Sequence, residues 1–381
     1  MVHRLGQCLC ARVGEPLSAM GADIAAHEAS LRPLVEALFS KPDARPDGAI
    51  GAELELIPVR QTSHSRVGIA ATDVGPGTAE IARDTARILD WVENVDAYGA
   101  PSWNMPDGGR LCYEPGGQLE IISPVFQSPG PLADFLRATL LALRASSNSA
   151  GVSLLTLGAD PYNTIDSVAL ELHAPRYDRM TRYFESIGSS GIRMMRQTAS
   201  MHVSVELGPQ VMGRWRLLNA LAPYLIAAFA NSGTYAGQPT GYASYRAHLW
   251  QTLDSTRTGL PYDATDPVGA YTRFATDAGR ILDDDRQHLT TLFPEVRPRG
   301  YFEIRSLDAL EPDRIDEALR FIWTIVHDHH VADAASSIIG APDASLLPRA
   351  GRLGRSDSEI GARLETLEQL VSESRLSADH F

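Results

Sequence analysis

Four separated segments of this 381-residue chain carry polar, mostly acidic side chains at every second position. In IGAELELIPV, Glu53 and Glu55 alternate with Leu54 and Leu56; in YEPGGQLEIISP, Glu120 follows the turn residues Pro115, Gly116 and Gly117. In RQTASMHVSVELG, Ser200, His202, Ser204 and Glu206 alternate with Met201, Val203, Val205 and Leu207, and in GYFEIRSLDA, Glu303 and Arg305 stand opposite Phe302 and Ile304. A period of two is that of a strand with one buried face. A wet face normally mixes Lys and Thr with Glu, whereas these four hold Glu53, Glu55, Glu120, His202 and Glu303 without one Lys. Like charges on neighbouring strands repel unless cations neutralise them. Hard oxygen donors select Mg²⁺ or Mn²⁺, and Mg²⁺ most often joins carboxylates to nucleotide phosphates. The expected chemistry is phosphoryl transfer at a carboxylate-lined site. Arg246, Arg257, Arg297, Arg299 and Arg305 are candidates to grip phosphate or carboxylate through two nitrogens at once.

Such faces need a sheet to line them up and helices to cover the apolar side. Helical spacing appears in Leu31, Leu34, Val35, Leu38 and Phe39, in residues 78–93 through Ile81, Ile88, Leu89 and Val92, and in residues 131–145. RWRLLNALAPYLIAAFANS is apolar nearly all round, which predicts a helix buried beneath the sheet. From Asp313 the chain is helical in character, with a stripe of Ile360, Leu364, Leu367, Leu370 and Val371. Amphipathic strands in mixed order with helices predict an α+β antiparallel sheet rather than a doubly wound parallel one. Residues 1–21 are expected to be a poorly structured leader, and residues 22–381 a single domain that includes the C-terminal helices.

Composition narrows the partners. With 44% hydrophobic and 21% charged residues the chain has globular composition, and 34 basic against 47 acidic residues give a net charge of −13. That field repels nucleic acid and anionic lipid, so neither is an expected partner. The longest apolar run, Leu217 to Ala230, is interrupted by Asn219, Pro223 and Tyr224 and is too short to span a bilayer. The first residues lack the apolar core of a secretory signal, so a cytoplasmic location is expected. Cys8, Cys10 and Cys112 form neither a disulfide framework nor a zinc cage. VGPGTAE lacks the context of a dinucleotide loop and no P-loop motif occurs, so any nucleotide binds by another route. His327, His329 and His330 read as a surface or packing feature, and Ser200 with His202 lacks the elbow motif of a serine hydrolase.

The ordered motifs IGAELEL, YEPGGQLEIISP, RYDRMTRYFESIG, MMRQTASMHVSV, FANS, SYRAHLWQTLDSTRTGLP and HLTTLFPEVRPRGYFEIRSLDA resemble those of glutamate-cysteine ligases of the second, plant and bacterial type. These belong to the glutamine synthetase-like carboxylate-amine ligase superfamily, and the blend is most similar to the actinobacterial branch that begins ergothioneine synthesis. The resemblance implies a curved antiparallel sheet forming a funnel, with helices packed on its outer face. It implies ATP-dependent joining of the glutamate γ-carboxylate to the amine of cysteine through a γ-glutamyl phosphate, with ADP and phosphate released. By the same resemblance Glu53, Glu55, Glu120 and Glu303 are metal ligands, Arg305 with Glu53 and Glu303 is catalytic, and Arg305, Arg297 and Arg299 hold ATP. Arg246 and Trp250 belong to the amino-acid pocket, with Arg257 and His202 on the substrate side. At His202 close relatives usually carry Gln, and metal ligation is the alternative role. Two other readings share these motifs: a ligase that joins glutamate to a different amine, and a non-catalytic metabolite- or metal-binding relative.

Overall fold

Alternation becomes a sheet here because each amphipathic strand has one face too apolar for water. In the computed structural model of the protein, residues 17–40, 48–97 and 99–374 are described, with side chains from residue 25. In chain order the elements are α1 (Leu17–Leu38), β1 (Ile50–Arg60), α2 (Thr78–Leu89), β2 (Val92–Val95), β3 (Pro101–Asn104), β4 (Arg110–Tyr113), β5 (Leu119–Ile122), α3 (Pro129–Ser149), β6 (Val152–Leu155), α4 (Pro175–Ile187), α5 (Ser190–Gln197), β7 (Ser200–Val205), α6 (Val211–Ala228), β8 (Thr234–Tyr235), β9 (Gln238–Pro239), α7 (Tyr245–Leu253), β10 (Thr258–Gly259), α8 (Pro267–Asp277), α9 (Asp285–Leu289), β11 (Phe293–Pro294), β12 (Val296–Pro298), β13 (Phe302–Asp308), α10 (Pro312–His327), α11 (His329–Ile339), α12 (Leu346–Leu353) and α13 (Ser358–Glu373). Helix α1 begins at Leu17, ahead of the start expected near residue 22; the expectations for Cys8 and Cys10 lie outside the described residues. Among the described residues no helix is long and apolar enough to cross a membrane.

The main sheet is open and antiparallel, in the order β12-β13-β7-β1-β5-β4-β3-β2, with β6 paired to the far end of β1. The four strands read from the sequence, β13, β7, β1 and β5, are consecutive neighbours. Their register lays the polar residues in rows: Glu53 lies opposite His202 on one side and Ile122 on the other, and Glu55 lies opposite Glu120. On the reverse face Ala52, Leu54, Leu56, Met201, Val203, Phe302 and Ile304 are buried. Helices α3 and α6 pack against that side, and α6 is buried along nearly its whole length, as its all-round apolar sequence predicts. Trp215 of α6 packs against Phe302 of β13 at a tilt and meets Phe39 edge to face.

Strict alternation fails once, in β13. The register with β7 shifts between Ile304 and Leu307, a β-bulge that lets both side chains enter the core while Glu303 and Arg305 stay together on the other face. The Arg305 N–H turns away from β7 to donate to the Glu295 carbonyl at 2.9 Å. Bulges of this kind re-aim side chains beside functional sites.

The β4–β5 hairpin is clamped from outside. Gly117, with φ of +77°, makes the turn, and the Gln118 amide donates to the Thr198 carbonyl at 2.7 Å. Gly116 presses on the end of α5 so closely that a Cβ there would lie 2.4 Å from the Arg196 carbonyl oxygen and 2.5 Å from its Cα. Gly116→Ala must therefore shift backbone, and is expected to cost about 1–3 kcal/mol in equilibrium denaturation. An unchanged midpoint would show that the hairpin is not pressed against α5.

Candidate active site

A cavity opens over the polar face of the central strands. Strand β1 supplies Glu53 and Glu55, the β4–β5 hairpin supplies Glu114 and Glu120, and β7 supplies His202. Arg297, Arg299 and Arg305 enter from the β12–β13 side, Arg176 from α4. Tyr177, Met180, Met194, Met195, Trp250 and Phe293 give the same cavity an apolar wall. Glu53, Glu55, Glu120, His202, Trp250, Arg297, Arg299 and Arg305, which the sequence singles out hundreds of residues apart, thus converge in one place.

Glu55, Glu114 and Glu120 each offer a carboxylate oxygen, and the three oxygens lie within 4.8 Å of one another. Among the described residues none of the three pairs with a cationic side chain. Their few partners are neutral: the Ser200 N–H donates to Glu55 Oε2 at 2.8 Å, and the Cys112 thiol donates to Glu120 Oε2 at 3.0 Å. Burial, then the negative charge of Glu55 and Glu53, pushes the Glu114 carboxyl up to about 8. Burial, then Glu53, Glu114 and Glu55, likewise holds Glu120 far above the usual carboxylate range. Crowded, desolvated carboxylates without a counter-charge suit a hard divalent cation such as Mg²⁺ or Mn²⁺.

Glu114 is the residue that sequence reasoning missed. It follows the last residue of β4 just before the Pro115–Gly117 turn, and the hairpin hydrogen bond from Glu114 N–H to the Gln118 carbonyl, 2.9 Å, folds it back toward Glu120. The signal lay in the turn residues themselves, which imply a hairpin and hence a second carboxylate beside the first.

Glu303, expected among the metal ligands, is instead gripped by cationic side chains. Arg305 Nη1 and Arg297 Nε donate to its Oε2 at 2.6 and 2.7 Å, and Arg299 Nη1 donates to Oε1 at 3.1 Å. Burial would raise this carboxyl, but Arg297 and Arg305 hold it well below the usual range. His202 bridges the two halves of the face: Nδ1 lies 3.1 Å from Glu53 Oε2 and Nε2 lies 2.9 Å from the Ser200 hydroxyl. Burial and the nearby Arg305 push its pKa down, so the neutral ring is favoured.

Two expected substrate contacts do not line the cavity. Arg257 is fully buried, and its donors are spent on Asp254 Oδ2 at 2.7 Å, the Thr291 carbonyl at 3.0 Å and the Gly279 carbonyl. That is a packing role, because all three of its nitrogens already donate within the fold and the side chain does not reach the cavity. Arg246 is also buried and donates through Nη2 to the Arg305 carbonyl at 2.8 Å. The Arg246 and Arg305 guanidiniums each lie 4.9 Å from the Trp250 ring, so Arg246 supports the site from behind rather than facing it. His327 likewise packs: its Nε2 lies 3.1 Å from Glu206, whose carboxylate also takes Arg214 at 2.8 Å.

The sequence matches the glutamate-cysteine ligase family 2 (GCS2) over residues 49–353, a span that contains every cavity residue named above. Glutamate-cysteine ligase EgtA of Mycolicibacterium smegmatis is 33% identical over 322 residues, which cover 72% of this chain and 75% of that protein. The chloroplastic glutamate-cysteine ligase A of Oryza sativa subsp. japonica is 27% identical over 323 residues, covering 73% and 64% respectively. The crystal structure of the Francisella tularensis glutamate-cysteine ligase in complex with AMP aligns with a TM-score of 0.37 at 12% identity, covering 87% of this chain and 90% of that one. With a family match across the whole catalytic region and EgtA similar over most of both chains, this protein belongs to glutamate-cysteine ligase family 2 and is an ATP-dependent carboxylate-amine ligase.

Proposed function

We propose that the protein joins L-glutamate to L-cysteine, forming γ-glutamylcysteine by way of a γ-glutamyl phosphate. The observation that carries this reading is the meeting, in one cavity, of three uncompensated carboxylates with three arginines that share a single buried glutamate. Phosphoryl transfer is catalysed chiefly by positioning and by neutralising charge, and the two walls are suited to the two halves of that task. Glu53, Glu55, Glu114 and Glu120 would hold Mg²⁺ or Mn²⁺, which when bound supplies charge neutralisation for the phosphates. Glu303 keeps Arg297, Arg299 and Arg305 extended and charged, ready for phosphate oxygens. Neutral His202 orients Glu53 through Nδ1.

The amine acceptor is the finer part of the proposal. The apolar wall of Met180, Met194, Met195, Trp250 and Phe293 favours a soft thiol over a strongly hydrated hydroxyl. EgtA and the plant relatives are named as glutamate-cysteine ligases, which supports cysteine over another amine. A cytoplasmic setting, with ATP and reduced thiols at hand, fits this reading. The decisive experiment incubates the protein with ATP, Mg²⁺, glutamate and equal cysteine and serine, and identifies the product by mass spectrometry. Cysteine should be preferred by roughly ten- to two-hundred-fold, the range set by so small a difference in an apolar pocket. Predominance of another γ-glutamyl amide would keep the ligase and change its acceptor.

Glu114→Gln tests the carboxylate cluster by two opposed effects. Without divalent cation and above pH 8, where the Glu114 carboxyl is ionised, the variant should be more stable than wild type, because one buried like charge is gone. Its ATP turnover should fall roughly a hundredfold or more, as expected when a charge-stabilising group is lost. Wild-type turnover in a folded variant would remove Glu114 from the catalytic set.

The raised carboxyls also set a pH dependence. Glu114 has a folded-state pKa of about 8, above its unfolded value, so its contribution to stability is present at low pH and is lost as pH rises through 8. A cation that takes the place of those protons binds more tightly as pH rises. Saturating Mg²⁺ should therefore raise Tm more at pH 8 than at pH 5.5 in thermal unfolding. A shift of equal size at both values would mean that the cation does not sit on these groups.

A further inference from the structure

A second cavity, of about 410 Å³, shares Arg176, Thr290, Arg297 and Arg299 with the catalytic one. Leu34 and Leu38 of α1 and Leu289 of α9 give it an apolar wall, Arg286 of α9 adds a further cation, and among the described residues none that lines it is acidic. The cationic charge here exceeds what its carboxylate partner can neutralise. Arg297 and Arg299 lean on Glu303, which Arg305 already holds. Arg176 is held by neutral groups, the Thr290 hydroxyl and, from Nη2, the Thr290 carbonyl at 3.1 Å. Arg286 has no hydrogen-bond or ion-pair partner among the described residues. Across the shared boundary lies the catalytic carboxylate cluster, where Glu114 feels the charge of Arg176. In a chain of net charge −13, four guanidiniums lining one partly apolar recess form a local reversal of sign.

We infer that this recess is a second oxyanion site, which takes the inorganic phosphate released by the ligase reaction and leads it away from the catalytic arginines. The inference rests on the ligase reading above. When the amine attacks the acyl phosphate, the C–N bond forms, the C–O bond to phosphate breaks, and phosphate departs with the electron pair while the amine's proton passes to water. A multiply charged anion in contact with Arg297 and Arg299 is then one step from Arg176 and Arg286, because the two cavities share the first three of these side chains. Planar guanidinium forks can pass a tetrahedral oxyanion between them without leaving it unpaired. The apolar wall lowers the local dielectric and strengthens the attraction. The phosphates of a bound nucleotide offer the same chemistry, and the test separates the two sources.

Inorganic phosphate is titrated into the intact protein by calorimetry, without nucleotide or amino acids, for wild type, Arg286→Ala and Arg286→Lys. Arg286 is exposed on a short helix, and circular dichroism checks that each variant keeps the fold. Wild type should bind phosphate saturably, Arg286→Ala should bind it roughly tenfold or more weakly, as expected for one lost charge-assisted contact, and Arg286→Lys should fall between. Product inhibition by phosphate should weaken by the same factor. A non-hydrolysable ATP analogue whose affinity is unchanged in Arg286→Ala identifies free phosphate as the occupant; a parallel loss identifies the nucleotide's own phosphates and overturns the exit route. Equal phosphate affinity in wild type and Arg286→Ala, or no saturable binding at all, overturns the site. In either case, ATP turnover by the wild type with glutamate and an amine leaves the ligase reading standing, whereas no turnover removes that reading and the exit route with it.

Discussion

Charge separation across a buried sheet face is the constraint on which the site depends. Glu55, Glu114 and Glu120 crowd together without a cation, while Arg297, Arg299 and Arg305 crowd around one glutamate a few strands away. Left to themselves the two groups would collapse into ion pairs, which is the cheaper arrangement for either alone. The backbone prevents it. β1 and β7 stand between the carboxylate hairpin and β13, so neutral His202 and Glu53 fill the space where a direct pairing would form. Such unsatisfied charge is costly to the fold, and it is the feature that a cation and a polyphosphate together would relieve.

The surrounding elements keep that arrangement from relaxing. Helices α3 and α6 bury the reverse face, so a strand cannot roll to release its carboxylates without exposing Leu54, Val203 or Ile304. The bulge in β13 holds Glu303 and Arg305 on one side although Ile304 and Leu307 both enter the core. Arg246 adds a brace through the Arg305 carbonyl, and its own charge is stacked on Trp250. Asp308 lies one turn of pleat further along, buried, and accepts from the Ser232 and Ser244 hydroxyls at 2.7 and 2.8 Å, tying the start of α7 to the same strand.

Much of this was legible in the residues because period-two alternation is a strong signal where one face meets a core and the other meets ligands. β1, β5, β7 and β13 announce themselves in that way, and the sheet sets them side by side. The outer strands β2 and β3 are four residues each, and the VENV sequence of β2 is exposed throughout, so helical spacing carries Val92 into the preceding helix, which in fact ends at Leu89. Glu114 escaped notice because a turn, not a strand, carries it. Arginine identity misled at Arg257, where Asp254 three residues earlier supplies the partner that makes the side chain structural. A guanidinium suits phosphate and carboxylate equally well, and only the fold decides which it meets. Carboxylate faces are less ambiguous, because burying several together has few explanations other than a cation.

The order β5-β1-β7-β13 also makes the sheet a ruler. Neighbouring strands stand about 4.8 Å apart, so three steps separate the Glu120 strand from the Arg305 strand by roughly 14 Å along the sheet. That gap is graduated in backbone hydrogen bonds, and no side-chain substitution can lengthen or shorten it by a fraction of a step. Related chains that keep this strand order share one fixed span between carboxylate wall and arginine wall, and are free to diversify only in what stands on the loops and helices above it. What the loops contact can drift on such a scaffold while the distance between the two charged walls stays constant.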